Sequence, residues 1–162
     1  MKFSLPKKTE ARGFTLIEIL VVIGIIAVLA AVVLIAINPA RQFAQANDSQ
    51  RTSNLNAILN AVGQYMADHQ GTIPANIAAG DTSDTDNFEV IGDGAGEADI
   101  CADLVPTYMP ALPVDPTAGD DAPVDDCAAT YDTGYQILQD STTGRISVLA
   151  DGQIEAEIIV TR

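Results

Sequence analysis

A chain of 162 residues has room for one modest folded domain beyond any anchoring segment. It is 48% hydrophobic yet carries 22 acidic residues against 8 basic ones, and half of the basic ones, Lys2, Lys7, Lys8 and Arg12, precede Gly13. The remaining surface is strongly acidic, a solvated coat that argues against direct nucleic-acid binding and against adhesion to anionic lipid, both of which need a basic footprint.

Phe14 to Ile37 form an apolar run of 24 residues, a helix of roughly 36 Å at about 1.5 Å per residue, against about 30 Å of hydrocarbon. Aliphatic side chains cover every face of this stretch, and an all-round apolar helix needs lipid or a deep core. The cations upstream predict an N-terminus in the cytoplasm and the remainder outside. A cleaved secretory signal, with "AQA" at 44 to 46 as its nominal site, fits poorly, because such signals hold only about 7 to 15 apolar residues. The run contains one carboxylate, Glu18. An uncleaved anchor would let it lie near the interface, about 6 Å inside the helix start.

The stretch "KKTEARGFTLIEILVVIGIIAVLAA" resembles the N-terminus of type IV pilins and of the pseudopilins of type II secretion: a basic leader ending in Gly13, then Phe14, then an acid five places after the glycine, then a long apolar helix. The resemblance implies that a prepilin peptidase removes residues 1–13 by cutting between Gly13 and Phe14, and that Phe14 is then N-methylated. It implies that Glu18 meets the N-terminal amine of a neighbouring subunit as the filament grows. A carboxylate in hydrocarbon costs about 2.5 to 3.5 kcal/mol, so a partner of that kind favours the assembled state. It also implies a homo-oligomeric helical filament, an assembly ATPase and membrane platform proteins as partners, and passage from the cytoplasmic membrane to the cell surface. The helix-breaking proline common in type IVa pilins near the middle of the apolar segment is replaced here by aliphatics.

Residues 38–71 continue as an amphipathic helix. Pro39 disfavours helix at Asn38, which predicts a break there. Leu55, Ile58, Leu59, Val62, Tyr65 and Met66 then recur at steps of three and four, and Gly71 is the expected stop, with His69 and Gln70 in the final turn. Residues 72–134 show little periodicity, and a connection of that length is expected to be functional or partly mobile. Within it "NFEVIG" suggests a short strand. The segment "DLVPTYMPALPVDP" at 103 to 116 resembles one found in major pseudopilins, although "TAGDDAPVDDC" follows where that pattern has an aromatic and a glycine.

Cys101 and Cys127 are the only thiols, and on the external side of a membrane they are expected to form a disulfide, with a pair of buried free thiols as the alternative. Asp115, Asp120, Asp121, Asp125 and Asp126 crowd the same region. Hard oxygen ligands at this density could hold calcium, as the corresponding region does in some major pseudopilins, or form a solvated acidic loop; no EF-hand spacing is present. His69 is the sole histidine and lacks a recognisable orienting partner, and no phosphate loop, zinc-ligand pairing or nucleophile elbow occurs, so no enzyme activity is expected.

Residues 135–162 predict an antiparallel meander of three strands: one around Tyr135 and Ile137, a second at Ile146, Val148 and Ala150, a third from Ile154 through Ala156 and Ile158 to Val160 with Glu155 and Glu157 outward. "STTG" and "DG" supply the turns. The fold class is therefore α+β, with a long N-terminal helix packed on a small antiparallel sheet, which is also the pilin fold that the resemblance implies. The expected function is that of a major pilin, with a type II secretion pseudopilin as the alternative. Adhesion, motility, DNA uptake and protein secretion are all tasks of such filaments. From a different class, a monomeric membrane-anchored ectodomain fits the same anchor.

Overall fold

The computed structural model describes residues 13–119 and 122–162. Most of the leader therefore lies outside the described residues, as do Asp120 and Asp121. The chain divides into two compact units, one ending at Pro39 and the other running from Ala40 to Arg162.

The first unit is helix α1, Leu16–Ala36. It forms because aliphatics fill its interior and because its first turn is closed by side chains. Its candidate membrane span, Leu16–Leu34, has a mean hydropathy of 3.1 and buries none of its length within the chain. Ile37, in extended conformation, ends the helix after its N–H donates to the Val33 carbonyl.

The second unit is the head domain. Helix α2, Pro39–Asp68, starts with its proline in the first turn, where the missing N–H costs nothing. Its stripe is buried as the spacing requires: Leu55, Ile58, Leu59 and Val62 enter the core, with Tyr65 and Met66 packed at its edge. The helix ends at Asp68, and the chain reverses through Gln70 and Gly71, both at positive φ, as the Gly71 N–H donates to the Met66 carbonyl.

The sheet is larger than the meander and is mixed. Strands β1 (Ala79–Gly80), β2 (Glu89–Gly92), β3 (Asp132–Asp140), β4 (Ile146–Asp151) and β5 (Glu157–Thr161) form it, with β3, β4 and β5 antiparallel in sequence order. On the other edge of β3, β1 pairs parallel and β2 antiparallel. "NFEVIG" thus does provide a strand. The final strand begins later than expected: Ile154 and Ala156 alternate like strand residues but belong to a loop that closes where the Gly152 N–H meets the Ala156 carbonyl.

Residues 72–134 are not a peripheral connection. Ile77, Ile91, Ile100, Leu104, Leu112 and Val124 join the core against α2 and the inner face of β3 and β4, and a short helix α3, Cys101–Leu104, lies within the same stretch. Their aperiodic spacing hid this, since each reaches the core from a turn rather than from a regular element. The outer face of the sheet has a smaller cluster in which Phe88 covers Leu138 and Leu149.

Candidate functional site

Gly13 and Phe14 precede α1 in exposed, non-helical backbone, and 84% of the Phe14 surface is accessible. Thr15 is the N-cap. Its hydroxyl oxygen accepts from the Glu18 N–H at 3.2 Å, while Glu18 Oε2 accepts from the Thr15 N–H at 2.9 Å and the Thr15 hydroxyl at 2.8 Å. This is a capping box, in which two orphan donors of the helix start are satisfied reciprocally. The acid that looks isolated in the apolar run therefore has a partner in its own chain. The sequence carried the signal, Thr-x-x-Glu ahead of an apolar helix.

In the head, Arg51 is the side chain that sequence reasoning passed over. It is 1% exposed. Its Nε donates to Asp115 Oδ2 at 2.6 Å, its Nη2 to Asp115 Oδ1 at 2.9 Å and to Thr117 Oγ1 at 2.5 Å, and its Nη1 to Asp48 Oδ1 at 2.7 Å. Asp115 also accepts from the N–H groups of Thr117 and Ala118. Burial alone would raise the Asp115 carboxyl, but the donors from Arg51, Thr117 and Ala118 hold it below the ordinary range. Asp48 is likewise held low against its own desolvation, because it accepts from the N–H groups of Gln153 and Ile154 and from Arg51. Arg51 thereby fastens the 115–117 segment to α2, and Asp48, which it also bonds, fastens the loop at Gln153 and Ile154.

A second buried contact lies one turn further on. Asn54 donates to the Tyr135 hydroxyl at 2.8 Å, and that hydroxyl donates to the Val114 carbonyl at 3.2 Å. Among the described residues no buried side-chain nitrogen or oxygen lacks a partner. The polar centre of the head is satisfied throughout.

The expected thiol pair is a disulfide, Cys101 to Cys127, with Cα atoms 5.5 Å apart. Of the five clustered aspartates, Asp115, Asp125 and Asp126 fall among the described residues, and Asp120 and Asp121 lie outside them. Both oxygens of Asp115 accept hydrogen bonds, from Arg51, the Thr117 hydroxyl and the N–H groups of Thr117 and Ala118. Asp126 accepts from the Ala128 N–H, and Asp125 is exposed. No group of three or more potential metal ligands converges among the described residues. His69 stacks on Tyr65, with ring centroids 3.9 Å apart, and its Nδ1 lies 2.8 Å from the Tyr65 carbonyl, the role of a helix-end residue.

Residues 9–34 match the family model described as the prokaryotic N-terminal methylation motif. The chain is similar to the type IV wide pilus major component PilA4 of Thermus thermophilus, 46% identical over 60 residues, which are 37% of this chain and 44% of that one. The matched part is thus less than half the length of that relative. No solved structure matches. The chain thus carries a prokaryotic N-terminal methylation motif over the leader junction and most of α1, and it is similar over 60 residues to a type IV pilus component.

Proposed function

We propose that the chain is a structural subunit, a major pilin, of a type IV pilus-like surface filament. It enters the cytoplasmic membrane through the apolar segment from Phe14 to Ile37 with its N-terminus inside. A prepilin peptidase then cuts between Gly13 and Phe14, and Phe14 is N-methylated. An assembly ATPase working through platform proteins transfers the helix from lipid to a filament core. The observation that carries this proposal is α1 itself, whose apolar side chains are exposed along its described length. Such a helix requires successive apolar surroundings, first lipid and then other copies.

Glu18 fits a role in both. Its bond to Thr15 reduces the cost of carrying a carboxylate in the membrane, and the methylated amine of a neighbouring Phe14 would add a second, cationic donor on assembly. Mass spectrometry of the N-terminus, taken separately from sheared surface material and from membranes, tests the proposal. Methylated Phe14 in the sheared fraction is expected. Unprocessed chain confined to membranes would favour a monomeric anchored ectodomain. A processed chain recovered only beneath the surface would favour the pseudopilin of a secretion system.

A further inference from the structure

The head bears two features of opposite character on the same helix. Near the start of α2, the loop between β4 and β5 presents Ile154, an aliphatic side chain 45% exposed, between the carboxylates of Asp151, Glu155 and Glu157. The loop is held in shape. Asp48 accepts its Gln153 and Ile154 N–H groups at 2.8 Å each, and Asn47 donates to the Gln153 side chain at 2.9 Å. A Cβ at Gly152 would collide with the Glu155 carbonyl, so only glycine fits the tight entry to this loop.

Further along α2, a cavity of about 220 Å³ opens between Leu59, Val62, Gly63 and Met66 on the helix and Ile146 at the start of β4. Its floor is apolar, and it is large enough for an isoleucine side chain. Its rim is cationic. Arg162 lines it, with its guanidinium braced by the Asn56 and Asn60 side chains, and exposed Arg145 stands between the lining residues Gly144 and Ile146. Asp140, the carboxylate nearest in sequence, already accepts from Thr82, Thr142 and Thr143. Only four cations follow Phe14 in the sequence, and Arg51 among them is buried. Two of the other three therefore flank one apolar socket.

From this pairing we infer that the Ile154 loop of one copy seats in the Leu59–Val62–Met66–Ile146 socket of the next, with Glu155 facing Arg145 and Arg162. The inference rests on the filament reading above and adds a contact between heads to it. Asp48, which holds the loop, and Val62, in the socket, are 14 residues apart on α2, about 21 Å along the axis at about 1.5 Å per residue. Knob and socket are thus different patches displaced along one element. Such a contact is heterologous, and repetition extends it into a polymer unless rotation closes a ring. Acidic loops meeting cationic rims also suppress antiparallel pairing, in which loop would face loop.

The experiment uses the full chain in its own cells. Ile154→Cys and Gly63→Cys are introduced together and singly; a Cβ at Gly63 meets nothing within 4 Å, so that change is tolerated sterically. Sheared filaments are oxidised and run without reductant. A ladder of covalent oligomers from the double variant, absent from either single variant, is expected. In parallel, Glu155→Arg and Arg145→Glu should each lower the yield of sheared filaments about tenfold while leaving the membrane pool unchanged, and their combination should restore it. Normal filaments from all these variants with no ladder would overturn the head contact and leave the filament reading standing. A wild-type chain that yields no filaments would overturn the filament reading, and this inference with it.

Discussion

Helix α1 and the head domain solve the problem of burial in opposite ways. In α1 the apolar side chains from Leu16 to Leu34 are exposed, and a capping box closes the helix start. In the head the apolar stripe of α2 is covered, and even a guanidinium is taken inside with each of its three nitrogens donating. The core of the head is closed by the head's own elements. The helix becomes complete only through lipid or other copies, so a change in one region should leave the other untouched.

The largest expected effect breaks the head alone. Arg51→Ala strands Asp115, which is 5% exposed, without its counter-charge, and losing one partner of a buried pair costs about 3 to 5 kcal/mol. Chemical denaturation of the full chain in detergent should show that loss in the head transition, with the helicity of α1 retained. Combining Arg51→Met with Asp115→Asn should cost less than the sum of the two, because the pair acts as a unit. Removing the bridge with Cys101→Ser and Cys127→Ser comes next. The loop spans 26 residues, and its closure is worth about 3 to 4 kcal/mol on the chain-entropy model. The same denaturation experiment measures it.

Val28→Asp reverses the comparison. Placed mid-helix at a side chain 65% exposed, the carboxylate should disfavour membrane insertion by about 2.5 to 3.5 kcal/mol, while the head transition stays where it was. A cell-fractionation assay reads the first outcome and denaturation the second. A shift of the head transition would show that the two units are energetically coupled.

Acid should distinguish the units as well. Asp48 and Asp115 titrate below the ordinary carboxylate range in the folded head, so their contribution is fully present above an unfolded value of about 3.9 and is lost as pH falls through their folded values. Asp140, whose carboxyl is brought down to about 2 chiefly by the Thr143 N–H and hydroxyl, follows the same direction at an exposed turn. The head transition of the full chain should therefore weaken below about pH 4, and less steeply in the Arg51→Met variant.

The two regions also differed in how far sequence revealed them. Helix α1 was legible because its signal is local: aliphatics on every face, ended by a proline. The stripe of α2 was legible for the same reason. Arg51 falls four residues before Leu55 and seven before Ile58, on the buried face, and that spacing was the available clue to its burial. Its partner was not legible. Asp115 is one of five aspartates within a dozen residues, and nothing local marks which of them meets a cation 64 positions away. Strand β1 and the core residues of 72–134 were lost similarly, because their order comes from contacts distant in sequence. Ile154 misled in the opposite sense: its alternation imitates a strand, yet the closure at Gly152 and the bonds to Asp48 hold it in a loop.

The smallest expected change in free energy concerns Thr15 and Glu18, and it carries the sharpest distinction. Thr15→Ala removes the cap that the Glu18 N–H uses, a loss of about 1 kcal/mol in helix stability, but keeps the carboxylate. Glu18→Ala removes the carboxylate together with its half of the box. If the acid serves only its own helix, the two variants should be processed alike and should reduce sheared filaments by similar, modest amounts. If it also meets the amine of a neighbouring Phe14, Glu18→Ala should be cleaved normally and yield no filaments, whereas Thr15→Ala assembles. The second pattern is expected, because a capping box satisfies hydrogen bonds without neutralising charge. A carboxylate on an otherwise apolar helix still gains from meeting a cation once water is excluded from the packed core.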